Sequence, residues 1–171
     1  MKAALETFIP SASQTPGRLN LFKFNNFSIL LDYAHNPAGM RALQGFINEL
    51  NTSYTVGIIA GVGDRRKEDT NLIGSISAEM FDEIIIRQDK NLRGKSEEEL
   101  IKMLNEGIKM KDPNKKTTII PSEREAILHA VKTAKKDSLI VLCSDVIPDA
   151  LELVQKLKDQ EARGELIFAE L

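Results

Sequence analysis

Charged and polar side chains collect in five short segments, each of which follows an apolar run of the sequence. The segments are 32–37 (DYAHNP), 60–67 (AGVGDRRK), 87–95 (RQDKNLRGK), 121–122 (PS) and 143–148 (CSDVIP). Carboxylates can accept hydrogen bonds from hydroxyl groups, and arginine side chains pair with carboxylates and phosphates. These residue types indicate a site for a small charged or polar ligand.

His35 is one of two histidines, and it follows Asp32 just ahead of a predicted helix N-terminus. This position suits contact with an anionic or polar group of a ligand. A turn histidine that makes local hydrogen bonds is an equal alternative. His129 lies between apolar neighbours in a predicted helix, so we expect it to be structural. Two histidines and a single cysteine, Cys143, argue against a His/Cys metal cluster, and no serine occupies a G-x-S-x-G elbow.

The pair Gly61 and Gly63 follows an apolar run and precedes a helix-like stretch, which is the setting of a phosphate-binding turn. The third glycine of the dinucleotide-binding pattern is replaced by Arg66, so the pattern is incomplete. A tight turn is the simpler interpretation. Solvated surface charges are likewise the simpler interpretation of Arg65 and Arg66, unless they face a ligand.

The segment 94–96 (GKS) resembles the second half of a P-loop, because it follows an apolar run and precedes a helix-like stretch. The first glycine of that motif is replaced by Asp89, whose carboxylate would repel the phosphates that such a loop binds. The alternative is that Ser96 is simply the N-cap of the following helix, which accounts for this segment without a P-loop. We therefore expect any phosphate-binding loop to lie elsewhere.

Short apolar runs rich in β-branched residues alternate with stretches of helical spacing. Strands are predicted at 28–32, 55–60, 83–86, 117–120, 139–142 and 165–168, with 19–24 as a possible edge strand. Helices are predicted after Asn36, Ser96 and Ser122, and over 67–80 and 148–160. This alternation predicts an α/β fold, namely a Rossmann-like, mainly parallel six-stranded sheet with helices on both faces. Ligands bind such sheets at the carboxyl ends of the strands, where the five charged segments emerge.

The composition is that of one globular domain. Of the 171 residues, 42% are apolar and 28% charged, which excludes disordered, collagen-like and disulfide-scaffold proteins. The net charge of -2 argues against nucleic acid or an anionic membrane as the main partner. No apolar run approaches the ~18 residues of a membrane span, and Glu6 lies where a signal peptide would be apolar. We expect a cytoplasmic protein, and the single cysteine fits a reducing compartment.

Four ordered motifs together resemble the C-terminal domain of the Mur ligase family, the ATP-dependent amide ligases that include the peptidoglycan amino-acid ligases and folylpolyglutamate synthetase. The motifs are 16–22 (PGRLNLF), 31–37 (LDYAHNP), 63–66 (GDRR) and 87–94 (RQDKNLRG). The resemblance covers nearly the whole chain from Leu5 onward. It implies that 18–171 form this domain, and that 1–17 are the tail of a preceding domain and an interdomain linker.

The resemblance also implies a division of labour between domains. A central ATPase domain, which the 171 residues do not contain, would hold the phosphates and most of the Mg²⁺ ligands. An acyl phosphate would form on an acceptor carboxylate, and an incoming amino acid would attack it to form the amide. The isolated chain is therefore expected to be inactive. Two alternatives are a stand-alone module that binds a nucleotide or an amino acid without catalysis, and a structural remnant that binds no ligand.

By the same resemblance, the chain contributes contacts to ATP and to the amino acid. The expected ATP contacts are Arg18, Asp32, His35 and Asn36, and the expected amino-acid contacts are Asp89, Asn91, Arg93 and Asp145. In the branch of the family that the motifs match most closely, the amino acid is arginine. Arg93 would then pair with its α-carboxylate, and Asp89 or Asp145 with its guanidinium. Leu92 stands where several relatives have proline.

Overall fold

The computed structural model describes residues 15–88 and 92–166, which form six strands and five helices. In chain order these are β1 (Asn20–Lys23), β2 (Phe27–Asp32), α1 (Pro37–Asn48), β3 (Tyr54–Ile59), α2 (Lys67–Met80), β4 (Glu83–Ile86), α3 (Glu97–Lys111), β5 (Lys116–Ile119), α4 (Glu123–Lys132), β6 (Ser138–Cys143) and α5 (Ile147–Ala162). None of the helices within these ranges is long and apolar enough to cross a membrane.

The strands form one sheet in the order β1-β2-β6-β3-β4-β5. β1 pairs antiparallel with β2, and every other pairing is parallel. The predicted α/β fold with a mainly parallel six-stranded sheet is therefore confirmed, and the possible edge strand at 19–24 is β1.

The predicted strand at 165–168 does not start where its apolar run begins. Glu165 and Leu166 lie outside any strand, and 167–168 lie outside the described residues. The end of α5 accounts for this, because the backbone N–H of Glu165 donates to the Gln160 carbonyl while Gly164 adopts a φ of +70°. The C-terminal cap of α5 thus includes Glu165, the first residue of the predicted strand.

Both faces of the sheet are covered by helices, which explains why the four inner strands β2, β6, β3 and β4 are mostly apolar and buried, whereas the edge strands β1 and β5 carry polar, exposed residues. α1, α2 and α3 pack on one face through residues such as Met40, Ile76 and Leu104. α4 and α5 pack on the other face through residues such as Ile127 and Val154. We call these the α1–α3 face and the α4–α5 face.

Three helices begin at polar side chains that the sequence identifies as caps. The Asn36 side chain accepts from Gly39 N at the start of α1, and Ser96 forms a capping box with Glu99 at the start of α3. Ser122 accepts from Glu125 N at the start of α4. Each cap satisfies backbone N–H groups that have no partner inside the helix. The helices therefore start just beyond the loops at the carboxyl edge of the sheet.

Candidate functional site at the carboxyl edge of the sheet

The strand order brings the five charged segments to one edge. β6 lies between β2 and β3, yet the chain leaves β6 towards the α4–α5 face and leaves β2 and β3 towards the α1–α3 face. Neighbouring connections that diverge in this way open a crevice at the strand ends, which is where α/β sheets bind ligands.

Arg18 is held at this edge by a turn that Asn20 organises. Asn20 is 2% exposed; its amide oxygen accepts from Gly17 N at 2.7 Å, and its amide nitrogen donates to the carbonyls of Thr15 and Arg18. Gly17 has a φ of +74°, and its carbonyl accepts from Tyr33 N. The turn therefore packs beside the segment after β2. The exposed Arg18 guanidinium lies 5.2 Å from the centre of the Tyr33 ring.

The Asp32 carboxylate shapes the loop that follows β2. One oxygen accepts from Leu19 N at 2.9 Å and the other from Ala34 N at 2.8 Å. The residue is 8% exposed. Asp32 thus ties the turn that carries Arg18 to the loop that carries His35.

His35 and Asn36 both make local hydrogen bonds. Nδ1 of His35 lies 2.8 Å from the Tyr33 carbonyl, and because a carbonyl only accepts, Nδ1 is the donor of this hydrogen bond. The His35 and Tyr33 rings meet edge to face, with centroids 4.6 Å apart. Asn36 accepts from Gly39 N with its amide oxygen. Arg18, Tyr33 and His35 therefore form one partly exposed group, which we call the β2-edge cluster.

The second and third charged segments are pressed against each other. A Cβ on Gly63 would lie 1.8 Å from the Leu92 carbonyl oxygen, so only glycine fits at this approach. The ammonium of Lys95 donates to the Gly63 carbonyl at 2.6 Å and to the Arg65 carbonyl at 2.8 Å. The lysine of the P-loop-like segment is thus bound to protein carbonyls. We call residues 60–67 and 92–95, which meet here, the joined loops.

Arg93 lies at the tip of the joined loops. Arg93 and Gly94 have φ angles of +43° and +88°, and Lys95 N donates to the Leu92 carbonyl to close the turn. The Arg93 guanidinium pairs with the Asp64 carboxylate, and its side chain is 56% exposed. A non-glycine residue in the left-handed region is strained, and such strain is often found at functional sites.

The arginines that follow Asp64 differ in their surroundings. Arg65 lies with its Nε 3.6 Å from an Asp64 oxygen, and its side chain is 32% exposed. Arg66 is 79% exposed and pairs with Asp69 in the first turn of α2. The interpretation of Arg66 as a solvated surface charge fits this geometry.

A buried arginine, for which the sequence predicts no ligand contact, lies between the loops. Arg87 is 4% exposed and follows β4 directly. Its terminal nitrogens donate to the carbonyls of Gln88 and Cys143 and to Asp145, at 2.9, 3.2 and 3.0 Å. Its Nε lies 2.9 Å from a Glu123 carboxylate oxygen. The predicted ligand residue Asp145 is therefore paired with Arg87 within the chain.

A cavity of about 550 Å³ opens beside Arg87 between the first turns of α4 and α5. Its walls carry carboxylates, basic side chains and apolar groups. The lining includes Gln88, Leu92, Glu97, Glu123, Arg124, Ile127, Val146, Asp149, Glu152 and Lys156. Leu92 links the cavity to the joined loops. The two other predicted amino-acid contacts, Asp89 and Asn91, lie outside the described residues.

The described residues contain no group of three His, Cys, Asp or Glu side chains that could hold a metal ion. The Cys143 thiol is buried at the end of β6; burial, followed by the nearby negative charge of Asp32, raises its pKa to about 12. The thiol therefore stays protonated at neutral pH and is a poor nucleophile.

Comparison with known proteins gives a consistent result. Residues 17–146 match the family model described as "Mur ligase, glutamate ligase domain". The chain is 38% identical over 156 residues to a cyanophycin synthetase of Geminocystis herdmanii, covering 91% of this chain and 18% of that protein. It is 33% identical over 133 residues to a UDP-N-acetylmuramoyl-L-alanyl-D-glutamate--2,6-diaminopimelate ligase of Clostridium acetobutylicum, covering 76% of this chain and 27% of that protein.

Solved structures share the fold at lower sequence identity. A UDP-N-acetylmuramoyl-L-alanyl-D-glutamate--2,6-diaminopimelate ligase matches with a TM-score of 0.72 and 17% identity, over 90% of this chain and 33% of that one. E. coli FolC in complex with ADP matches with a TM-score of 0.66 and 19% identity, over 92% of this chain and 38% of that one. The chain thus spans about a fifth to two fifths of the relatives it resembles.

Proposed function

The chain belongs to the Mur ligase family as a glutamate ligase domain. From this premise we propose that it is the C-terminal domain of an ATP-dependent amide ligase of the cyanophycin synthetase type, and that it contributes contacts to the ATP ribose and to the incoming amino acid. The observation that carries the proposal is that the described residues of all four family motifs meet at one edge of the sheet. Residues 18–171 would form this domain and 1–17 the tail and linker of the domain before it.

The β2-edge cluster is the proposed nucleotide side. Arg18 would approach the ribose or phosphates of ATP, because an exposed guanidinium beside an aromatic ring is free to pair with an anion. His35 and Asn36 would line the same side. Asp32 would accept from the ribose hydroxyls with lone pairs that its backbone hydrogen bonds leave available. FolC, a protein of the same fold, was solved in complex with ADP, which supports a nucleotide as a ligand of the complete ligase.

The joined loops and the neighbouring cavity are the proposed amino-acid side. Arg93 would exchange its Asp64 partner for the α-carboxylate of the amino acid, and Asn91 stays a second proposed contact of that carboxylate. We propose arginine as the amino acid, because cyanophycin synthetases are among the similar proteins and carboxylates line the cavity. Asp89 and Asp145 stay candidates for the guanidinium. Asp145 would have to share its charge with Arg87, whereas Glu97 and Asp149 offer further carboxylates at the cavity.

The chemistry would run in two steps in the complete ligase. A carboxylate oxygen of the acceptor attacks the γ-phosphorus of ATP, which releases ADP and leaves an acyl phosphate. The amine of the incoming amino acid then attacks the acyl carbon, phosphate leaves, and the nitrogen loses a proton. Mg²⁺ and the phosphates would be held mainly by the central ATPase domain. Arg93 would neutralise the α-carboxylate, and so orient the amine towards the acyl carbon.

An NMR titration of the purified chain tests both halves of the proposal. We expect ATP to shift the backbone amides of Arg18, Tyr33 and His35, and L-arginine to shift those of the joined loops. Arg93→Lys should weaken arginine binding by about tenfold, since an ammonium cannot form the planar two-bond pair with a carboxylate. ATP affinity should stay within about twofold.

Arg163→Lys is the matched control, because Arg163 also forms an exposed pair with a carboxylate, that of Glu165. It should change neither affinity. Arginine-induced shifts that survive unchanged in Arg93→Lys would remove the joined loops from the amino-acid site. If ATP shifts no backbone amide of the β2-edge cluster, the assignment of this cluster to the nucleotide site is wrong.

A further inference from the structure

One buried guanidinium lies where the two sides of the site meet. Arg87 lines the cavity between α4 and α5, and it also lines a small cavity on the other side that includes His35, Val62 and Ser144. Burying a charged group is unfavourable unless its donors find partners. The partners of Arg87 therefore show what its burial achieves.

The contacts of Arg87 join three segments that are far apart in the sequence. One nitrogen donates to the carbonyl of the adjacent Gln88. Another donates to Cys143 at the end of β6 and to Asp145 in the loop that follows. The Nε faces Glu123, the first residue of α4. The planar guanidinium thus bridges the loop before α5 to the start of α4, which are opposite walls of the cavity.

The backbone around Arg87 is fixed independently of its side chain. Arg87 N donates to the Ile59 carbonyl of β3, and Gln88 N donates to the Pro121 carbonyl after β5. The base of the side chain therefore has a fixed place in the sheet. The guanidinium therefore connects the two carboxylates to a fixed point of the sheet.

From this arrangement we propose that Arg87 is a positioning residue for amino-acid binding. It acts through Glu123 and Asp145, and it sets the width of the cavity and the direction of its acidic wall. The inference rests on the proposed function, which places the side chain of the incoming amino acid in this cavity. The two terminal nitrogens of the planar guanidinium donate to Asp145 and to two carbonyls, and its Nε is ion-paired with Glu123 without a hydrogen bond. One rigid group therefore contacts two carboxylates and two carbonyls.

Lysine at position 87 would keep the charge but could not span the same partners, because an ammonium is a single point of attachment. Arg163→Lys is again the matched control, because Arg163 pairs with the carboxylate of Glu165 beyond the end of α5 and is not among the residues that line the cavity. We expect Arg87→Lys to stay folded and to bind L-arginine about tenfold more weakly or worse, with ATP affinity within about twofold. Arg163→Lys should change arginine affinity by less than about twofold.

Backbone amide shifts provide a readout that needs no ligand. In Arg87→Lys the amides of both 123–125 and 144–146 should move, because both segments lose the same bridge. In Arg163→Lys neither range should respond. Shifts confined to one range would overturn the proposal. The proposal would also be wrong if Arg87→Lys bound arginine as tightly as the wild type, or if its arginine affinity, ATP affinity and thermal stability all fell together.

The outcome also separates this inference from the proposed function. If the wild-type chain gives no arginine-induced shifts, the assignment of arginine to this site fails. The ligand-free shifts in Arg87→Lys then still decide whether one side chain places both walls of the cavity.

Discussion

Asp32 illustrates how a single carboxylate builds the loop in which it lies. Its two oxygens accept from Leu19 N and Ala34 N, and it is almost fully buried. A carboxylate that accepts backbone hydrogen bonds makes stronger bonds than a neutral acceptor. Any contribution of Asp32 to ATP binding therefore comes in addition to a structural role, and the two must be measured separately.

We predict that Asp32→Ala lowers the free energy of unfolding by about 2 kcal/mol, because two backbone donors lose a charged acceptor. Urea unfolding at neutral pH measures this. Asp159→Ala is the control: Asp159 is exposed on α5 and accepts from the Gln155 side chain, so we expect a change below about 0.5 kcal/mol. Equal stability of the two variants would show that Asp32 does not hold the loop.

The residue-scale predictions from sequence succeeded where the interaction is local. Asn36, Ser96 and Ser122 cap helices as expected, since each cap bonds a backbone N–H only three residues ahead. The pairing of Asp145 with Arg87 spans 58 residues of sequence. No spacing rule identifies a partner at that separation, so the role of Arg87 required the structure.

At the scale of elements, the joined loops depend on the absence of one side chain. Gly63 lies against the Leu92 backbone, and a Cβ there would overlap the carbonyl. The contact is between backbones, so no change of rotamer can relieve it. The position of Arg93 therefore depends on a glycine in another loop.

We predict that Gly63→Ala destabilises the chain by about 1–3 kcal/mol, the usual cost of forcing extra atoms into a packed contact. It should also shift the amides of Leu92 and Arg93. Gly45→Ala is the matched substitution, because a Cβ at Gly45 meets nothing within 4 Å in the interior of α1. It should stabilise by about 0.5–1 kcal/mol, since alanine is the better helix former. Thermal unfolding with NMR distinguishes these outcomes, and a Gly63→Ala variant as stable as Gly45→Ala would contradict the close approach.

Three helices on the α1–α3 face are linked by Glu79 of α2. Its carboxylate accepts from Arg41 of α1 and pairs with Lys111 of α3 at 2.7 Å. Hydrogen bonds from Arg41 and then Lys111 lower the pKa of Glu79 from 4.5 to about 2. Because the unfolded chain binds the proton more readily, this pairing stabilises the fold above about pH 4.5 and loses its effect as the pH falls towards 2.

We predict that Glu79→Gln lowers the free energy of unfolding at pH 7 by about 1 kcal/mol or less, because water screens a pair whose arginine is half exposed. The difference between wild type and variant should shrink as the pH falls below about 4.5. Urea unfolding at pH 7, 4 and 2.5 tests the sign. A difference that grows in acid would mean that Glu79 does not stabilise as a carboxylate.

The strands and helices were largely predictable from the sequence, and the one strand prediction that differs from the structure has a local cause. Strand positions and cap residues follow from local periodicity, and the predicted strands from 28–32 to 139–142 lie within one or two residues of β2 to β6. The run at 165–168 was different, because the backbone of Glu165 completes the cap of α5. A short apolar run cannot show whether the preceding helix will extend into it.

At the scale of the whole molecule, the site depends on the strand order, which no single segment encodes. The placement of β6 between β2 and β3 brings Cys143 beside Asp32 and puts Asp145 within reach of Arg87. General rules for parallel sheets predicted that the charged segments share an edge. Which segments become neighbours on that edge follows from long-range packing. The four motifs were therefore sufficient to predict the family, but they did not predict the buried contacts of Arg87 at the site.

The last prediction concerns the whole chain: it should bind ATP weakly and leave it intact. Phosphoryl transfer needs a backbone cradle, a lysine and a metal ion on the phosphates. The lysine of the P-loop-like segment, Lys95, donates to two loop carbonyls, and the hydroxyl of Ser96 caps α3. The chain also spans only 18% of the length of the Geminocystis herdmanii cyanophycin synthetase. Phosphate release from Mg-ATP should therefore stay at the buffer background for the wild type and for Lys95→Met alike. Release above background that Lys95→Met abolishes would show that this segment works as a divergent P-loop.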